Sequence, residues 1–109
     1  MRFTKMHGLG NDYIFLNCME GAPEDLPGLS RRLSDRHFGV GGDGIICVCP
    51  SDRADFKMRM FNADGSEGAM CGNGIRCFGK YVYDKGLTDK QHLAIETPAG
   101  ERELSLFLQ

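Results

Sequence analysis

No apolar run in this chain approaches the roughly 20 residues that a membrane-spanning helix needs. The opening MRFTKMHG also lacks the apolar core of a secretion signal. Both absences predict a cytoplasmic protein with no membrane partner. Charge of one sign is missing too: 13 basic against 15 acidic side chains leave a net charge of −2, with the bases dispersed. A nucleic-acid surface needs a clustered positive field, so nucleic acid is not an expected partner. The one basic pair, Arg31-Arg32, falls in a predicted amphipathic helix and reads as its solvated face. Five cysteines, an odd number without a secretion signal, do not make a disulfide framework and point to reduced thiols. Neither repeat nor linker divides the 109 residues, which suit one domain or a fragment of something larger.

What is present is a globular composition, 41% hydrophobic and 26% charged. Glycines cluster at 8–10, 39–44 and 65–74, marking special loops. Phe3–Met6 and Tyr13–Asn17 read as strands about the turn 7–12. Pro23 and Pro27 bracket an acidic loop, after which Leu29, Leu33 and His37 predict a helix ending near Gly39. Ile45–Cys49 is a buried strand stopped by Pro50. Phe56, Met58 and Met60 alternate with Lys57 and Arg59 as a strand should, and 62–68 turns the chain. A longer helix is predicted from about Asn73 to Asp84, with Ile75, Phe78 and Val82 on one stripe and Gly86 as its cap. Leu93–Glu96 and Glu101–Leu108 read as strands about the turn 97–100. Many strands with two helices predict an α+β fold. The last strand reaches Gln109 without a turn behind it, so the chain is expected to stop inside the fold.

Gly39-Val40-Gly41-Gly42-Asp43-Gly44 matches G-x-G-x-x-G, but a dinucleotide loop needs a strand before it and a helix after. Here the predicted order is reversed, and a glycine-rich turn is the better reading. Cys47 and Cys49 alternate in a buried strand without the paired spacing of a zinc module, so they read as core residues and no metal is expected. Cys71 differs, because Met70-Cys71-Gly72-Asn73-Gly74-Ile75-Arg76-Cys77 places it at the mouth of a predicted helix. There the helix end favours the thiolate, and the following amides are disposed toward an anion. Cys77, within the helix, reads as packing. Asn11, Asn62 and Asn73 all lie in glycine-containing turns. Each is either turn chemistry or a neutral partner for a zwitterionic substrate. Thiolate beside carboxylate cradle points to chemistry at the carbon next to an amino-acid carboxylate.

MHGLGNDYIF at 6–15, RHFGVGGDGI at 36–45, MFNADGSEGAMCGNGIRC at 60–77 and ETPAG at 96–100 resemble diaminopimelate epimerases in order and spacing. The resemblance implies that residues 1–109 are an N-terminal diaminopimelate-epimerase-like domain whose C-terminal half is absent. It also implies a curled mixed sheet around a central helix, one half of a two-domain pseudo-symmetric fold. Such enzymes interconvert L,L- and meso-diaminopimelate for lysine and cell-wall synthesis, without pyridoxal phosphate or any other cofactor. Two cysteines face each other across the α-carbon. By position Cys71 resembles one of them. Gly72 and Asn73 resemble half of the α-carboxylate cradle through their amides, and Asn11 and Asn62 resemble substrate-binding asparagines. A family position that can be a substrate-contacting glutamine falls at Gly44.

The implied partners are the amino-acid substrate, the missing half of the enzyme and, since the family is often dimeric, a second copy. Related proline- or histidine-type racemases are the alternative, although the proline-type motif has histidine where Asn73 follows Cys71-Gly72. A non-catalytic half-domain that binds a small anion or a partner protein is another. An apolar surface where the other half docks is also expected. With the second cysteine outside residues 1–109, the purified fragment should not epimerise diaminopimelate, and measurable turnover by it would overturn this expectation.

Overall fold

In the computed structural model, residues 3–8, 10–37, 39–68 and 72–105 are described, without the side chains of residues 72 and 73. Two parallel strand pairs, each bridged by a helix, organise them. The strands are β1 (Phe3–Gly8), β2 (Asn11–Asn17), β3 (Gly44–Cys49), β4 (Phe56–Asn62), β5 (Glu67–Gly68), β6 (His92–Thr97) and β7 (Gly100–Ser105). The helices are α1 (Leu26–Ser34) and α2 (Gly72–Asp84). Strand order is β1-β2-β3-β4-β6-β7, with β5 paired on β4. β2 and β3 are parallel, as are β4 and β6; the other pairs are antiparallel. A parallel pair cannot be joined by a hairpin, so each carries a crossover. α1 makes the first and α2 the second.

The two helices cover opposite faces, and strand alternation shows why. Along β2 and β3 both faces are apolar, the mark of strands buried on two sides. β4 is apolar on its inner face and carries Lys57 and Arg59 on the outer one until Phe61. Tyr13, Phe15, Ile46, Val48, Phe56, Met58 and Met60 pack with Phe78, Tyr81 and Val82 of α2. Ile14, Leu16, Ile45, Cys47 and Phe61 pack with Leu26 and Leu29 of α1. α2 touches β2 and β3 and also the terminal strands β1 and β7. One straight helix reaches both ends of a six-strand path only if the sheet curls around it. The fold is thus α+β, with a curled, unclosed mixed sheet.

Local chemistry sets the helix ends. Asp25 caps α1 by accepting the Gly28 N–H at 3.1 Å, and Pro27 falls in the first turn. A helix start tolerates proline because those N–H groups have no intrahelical acceptor. The helix therefore begins before the predicted Leu29, and it ends at Ser34, leaving His37 in the following turn. Gly86 (φ +73°) ends α2 as expected, with Leu87 N–H returning to Val82 O at 2.9 Å. The β1–β2 hairpin is tighter than predicted, pairing Gly8 with Asn11. An extended apolar docking surface is not found among the described residues, where Phe3 is the exposed large hydrophobic side chain. The outward positions beyond α1, such as Lys57, Arg59 and Glu96, are charged instead.

The β4–β6 ladder is short, pairing only Phe56 with Ile95 and Lys57 with Glu96. Asp55 extends it. Its carboxylate accepts from Lys90 Nζ at 2.7 Å and Ala94 N–H at 2.8 Å. Lys90, and then the Ala94 amide, hold this carboxyl below the ordinary aspartate value of 3.8. A depressed folded-state pKa stabilises the fold above the unfolded value, and that stabilisation is lost as pH falls through the folded one. Asp55→Ala should cost about 1–2 kcal/mol at neutral pH, the low end for hydrogen bonds to a partly exposed charged group. Denaturant titrations should show the gap narrowing as pH falls below 3.8. A gap unchanged in acid would rule out the charge as its source.

Candidate active site

The direction of α2 locates the site. Cys77 Sγ lies 3.7 Å from His7 O, beside the start of β2, while Tyr81 stacks on Phe15 with ring centroids 5.0 Å apart. α2 therefore runs along β2 in the same sense, and its N-terminus points toward the end of the sheet where β2 and β3 begin and β4 ends. Tyr13, Gly44 and Asn62 lie in one row across those three strands at that end. By alternation Asn11 shares the face of Tyr13, and Asn62 the face of Met60, which is the face α2 covers. Asn11 thus converges with Asn62 and the first turn of α2, which contains Gly72 and Asn73, from more than 50 residues away in sequence. Cys71 lies outside the described residues; α2 opens at Gly72, the residue after it.

Each asparagine is positioned by different neighbours. Asn62 donates from Nδ2 to Ser66 Oγ at 3.0 Å, and Ser66 Oγ donates to Asp64 Oδ1 at 2.6 Å. One Nδ2 hydrogen is thereby engaged, and Oδ1 and the second Nδ2 hydrogen remain to accept and donate. The backbone at Asn62 is held from the other face by buried Ser30, whose hydroxyl lies 2.7 Å from Asn62 O and 3.1 Å from Phe61 O. Half-buried Asn11 has no side-chain hydrogen bond among the described residues, which leaves both halves of its amide for a ligand. The glycine-rich loop 39–44 runs from a helix into a strand, as a turn. Sequence reasoning did not single out Asp12, Asp43, Ser30 or Ser66. Polar residues inside glycine turns were the available signal for the aspartates; nothing local marked Ser30.

The other thiols are structural. Cys77 packs in the inner core. Cys18 and Cys47 are buried on the α1 face, with Cys49 against them. Hydrogen bonding to Cys47, together with burial, pushes the Cys18 thiol up to about 11, and hydrogen bonding to Cys18 with burial raises Cys49 further. Neither is a nucleophile near neutrality. No group of three His, Cys, Asp or Glu side chains among the described residues could hold a metal ion. A groove on the outer face is lined by Arg53, Lys57, Arg59, Glu67, Glu96 and others. Within it Arg59 is bidentate on Glu67 at 3.0 and 3.1 Å, and Arg53 lies 3.9 Å from Glu96.

Gly44 shows how tightly the row is packed. A Cβ there would lie 2.3 Å from Phe61 O in the backbone of β4, which a flexible side chain could not relieve. No side-chain contact from position 44 fits this backbone. Gly44→Ala should force β4 away and cost about 1–3 kcal/mol, the usual range for overpacking. Chemical denaturation measures it, and wild-type stability would show that the strands separate freely.

The diaminopimelate epimerase family model matches residues 3–108. A diaminopimelate epimerase from Acetivibrio thermocellus is 60% identical over the whole chain, and one from Methanococcus maripaludis strain C6 is 58% identical. The chain spans 39% of the length of either relative. A Bacillus anthracis PhzF-family phenazine biosynthesis protein superposes with a TM-score of 0.75 at 23% identity, covering 98% of this chain and 35% of that one. A hydroxyproline epimerase from Agrobacterium vitis gives 0.70 at 18%, covering 93% and 35%. These distant structures share the fold. With a family model matched over nearly its full length, on a curled sheet that such structures share, the chain belongs to the diaminopimelate epimerase family.

Proposed function

We propose that residues 1–109 are the N-terminal part of an isomerase that interconverts L,L- and meso-diaminopimelate, with Cys71 as one of two acid–base cysteines. One observation carries the reading. In a chain of this family, Asn11, Asn62 and the first turn of the helix that follows Cys71 meet at one end of the inner sheet face.

The chemistry follows from those groups. The first N–H groups of a helix have no intrahelical acceptor, so the Gly72 and Asn73 amides can bind the substrate α-carboxylate. The partial positive charge of a 13-residue helix at that end also favours a thiolate at Cys71. That thiolate takes the α-proton. The C–H bond breaks, and its electron pair spreads from the α-carbon into the carboxylate, where the amides meet the growing charge. A thiol on the opposite face, supplied by the C-terminal part, returns a proton there. Configuration inverts and the two sulfurs exchange protonation states, so one site runs in both directions. Two opposed thiols suffice for this, and the reading calls for no cofactor. Asn11 and Asn62 would hold the zwitterion in register, and the C-terminal part would read the distal amino-acid centre. The fragment alone would then be inactive.

The test follows the α-proton of L,L-diaminopimelate in heavy water by NMR, using the full-length protein and its Cys71→Ala variant. Wild type should incorporate deuterium with loss of configuration, and the variant should lose at least about 100-fold, the lower range for a positioned acid or base. No exchange by folded wild type, or full exchange by the folded variant, would overturn the reading.

A further inference from the structure

The glycine-rich loop 39–44 and the tip of the β1–β2 hairpin are joined by a reciprocal clamp. Asp12 N–H donates to Asp43 Oδ2 at 2.6 Å, and Asp43 N–H donates to Asp12 O at 2.8 Å. Arg36 braces the pair, its guanidinium 3.4 Å from Asp43 Oδ1 and 3.6 Å from Asp12 Oδ2. His7 Nδ1 contacts Asp12 Oδ1, and Lys5 Nζ lies 3.9 Å from Asp12 Oδ2. The Asp12 carboxyl is consequently held low: partial desolvation raises it, but His7, Lys5 and Arg36 together outweigh that.

The clamp stands where the sheet needs it. The β2–β3 ladder starts at Tyr13 opposite Gly44, one residue inside the aspartate pair. Beyond it, Asn11 pairs only with Gly8 of β1, a terminal strand of the sheet. Gly10, just before Asn11, has φ +90° and adds no side chain to hold the tip. The Asp43 carboxylate thus takes the place of the missing backbone acceptor and ties the hairpin tip to the body of the sheet.

We infer that Asp43, braced by Arg36, is a positioning residue that acts through Asn11, holding its amide at the substrate site. This rests on the reading of Asn11 as a substrate contact. The acceptor oxygen is the operative group, so asparagine at position 43 should preserve most of the function and alanine should not.

The experiment is a kinetic cycle in the full-length protein on L,L-diaminopimelate, comparing Asp43→Ala, Asp43→Asn, Asn11→Ala and the Asn11→Ala/Asp43→Ala pair. Asp43→Ala should lower kcat/KM by about tenfold or more, in the range for misplacing a substrate-positioning group. Asp43→Asn should recover to within about threefold. In the Asn11→Ala background, Asp43→Ala should add less than about twofold, since coupled residues are not additive. An equal penalty in both backgrounds would overturn the inference, as would wild-type kinetics for Asp43→Ala beside an impaired Asn11→Ala. Wild-type kinetics for Asn11→Ala would instead remove the substrate role of Asn11, and the inference with it. Should Asp43→Ala not fold, exposed Arg36→Ala replaces it. A loss of about threefold that vanishes without Asn11 is then expected, and one that persists overturns the inference.

Discussion

Packing of α2 into the concave face of the sheet is the constraint on which the other features rest. Phe78 and Val82 are fully buried there, with Phe78 edge-on to Phe56 at 6.0 Å. Burying side chains of this size contributes about 1.5–3 kcal/mol each, and the sheet must curl to supply partners on all sides. Once α2 is seated, its direction is no longer free. Cys77 meets β1 and Tyr81 meets β2, so the helix can present its N-terminus only to the end of the sheet where Asn11 and Asn62 lie.

The opposite face is built by a different rule. α1 covers β2, β3 and the end of β4, closing a second core around Phe61 and three thiols. Past α1 the outer side of the sheet meets water and turns ionic. Arg59 lies over the Phe61 ring at 5.1 Å while bridging to Glu67, so one side chain caps the apolar layer and begins the charged one. A buried hydroxyl, Ser30, couples this side to the other by holding the backbone of Asn62. The two layers are therefore mechanically linked through β4.

Much of the fold was legible because its signals are local. β3 and β4 were readable from apolar runs and alternation, and α2 from its stripe and Gly86. The error at α1 arose where two local signals compete, since Pro27 punctuates a loop and also suits a helix's first turn. The hairpin tip was missed because Gly10 and Asn11 read as turn residues, while pairing with β1 draws Asn11 into the strand. The site was legible only as separate glycine-and-asparagine motifs. Neither the carboxylate standing in for a ladder bond at Asp43 nor the hydroxyl of Ser30 leaves a local mark, because each answers a backbone group 31 or 32 residues distant.

By itself the sequence determined most of the strands and both helices, that β3 is a buried strand, and that a cysteine immediately precedes a helix. Periodicity, capping residues and glycine placement act within a few residues and need no tertiary partner. Only the tertiary structure decided which face each helix takes, that the sheet curls, and that Asn11, Asn62 and the start of α2 share one end. It also decided how closely β4 approaches position 44, because the atom that an added Cβ there would meet is a carbonyl on β4. These outcomes depend on strand register and on the burial of α2, and both are set by long-range packing.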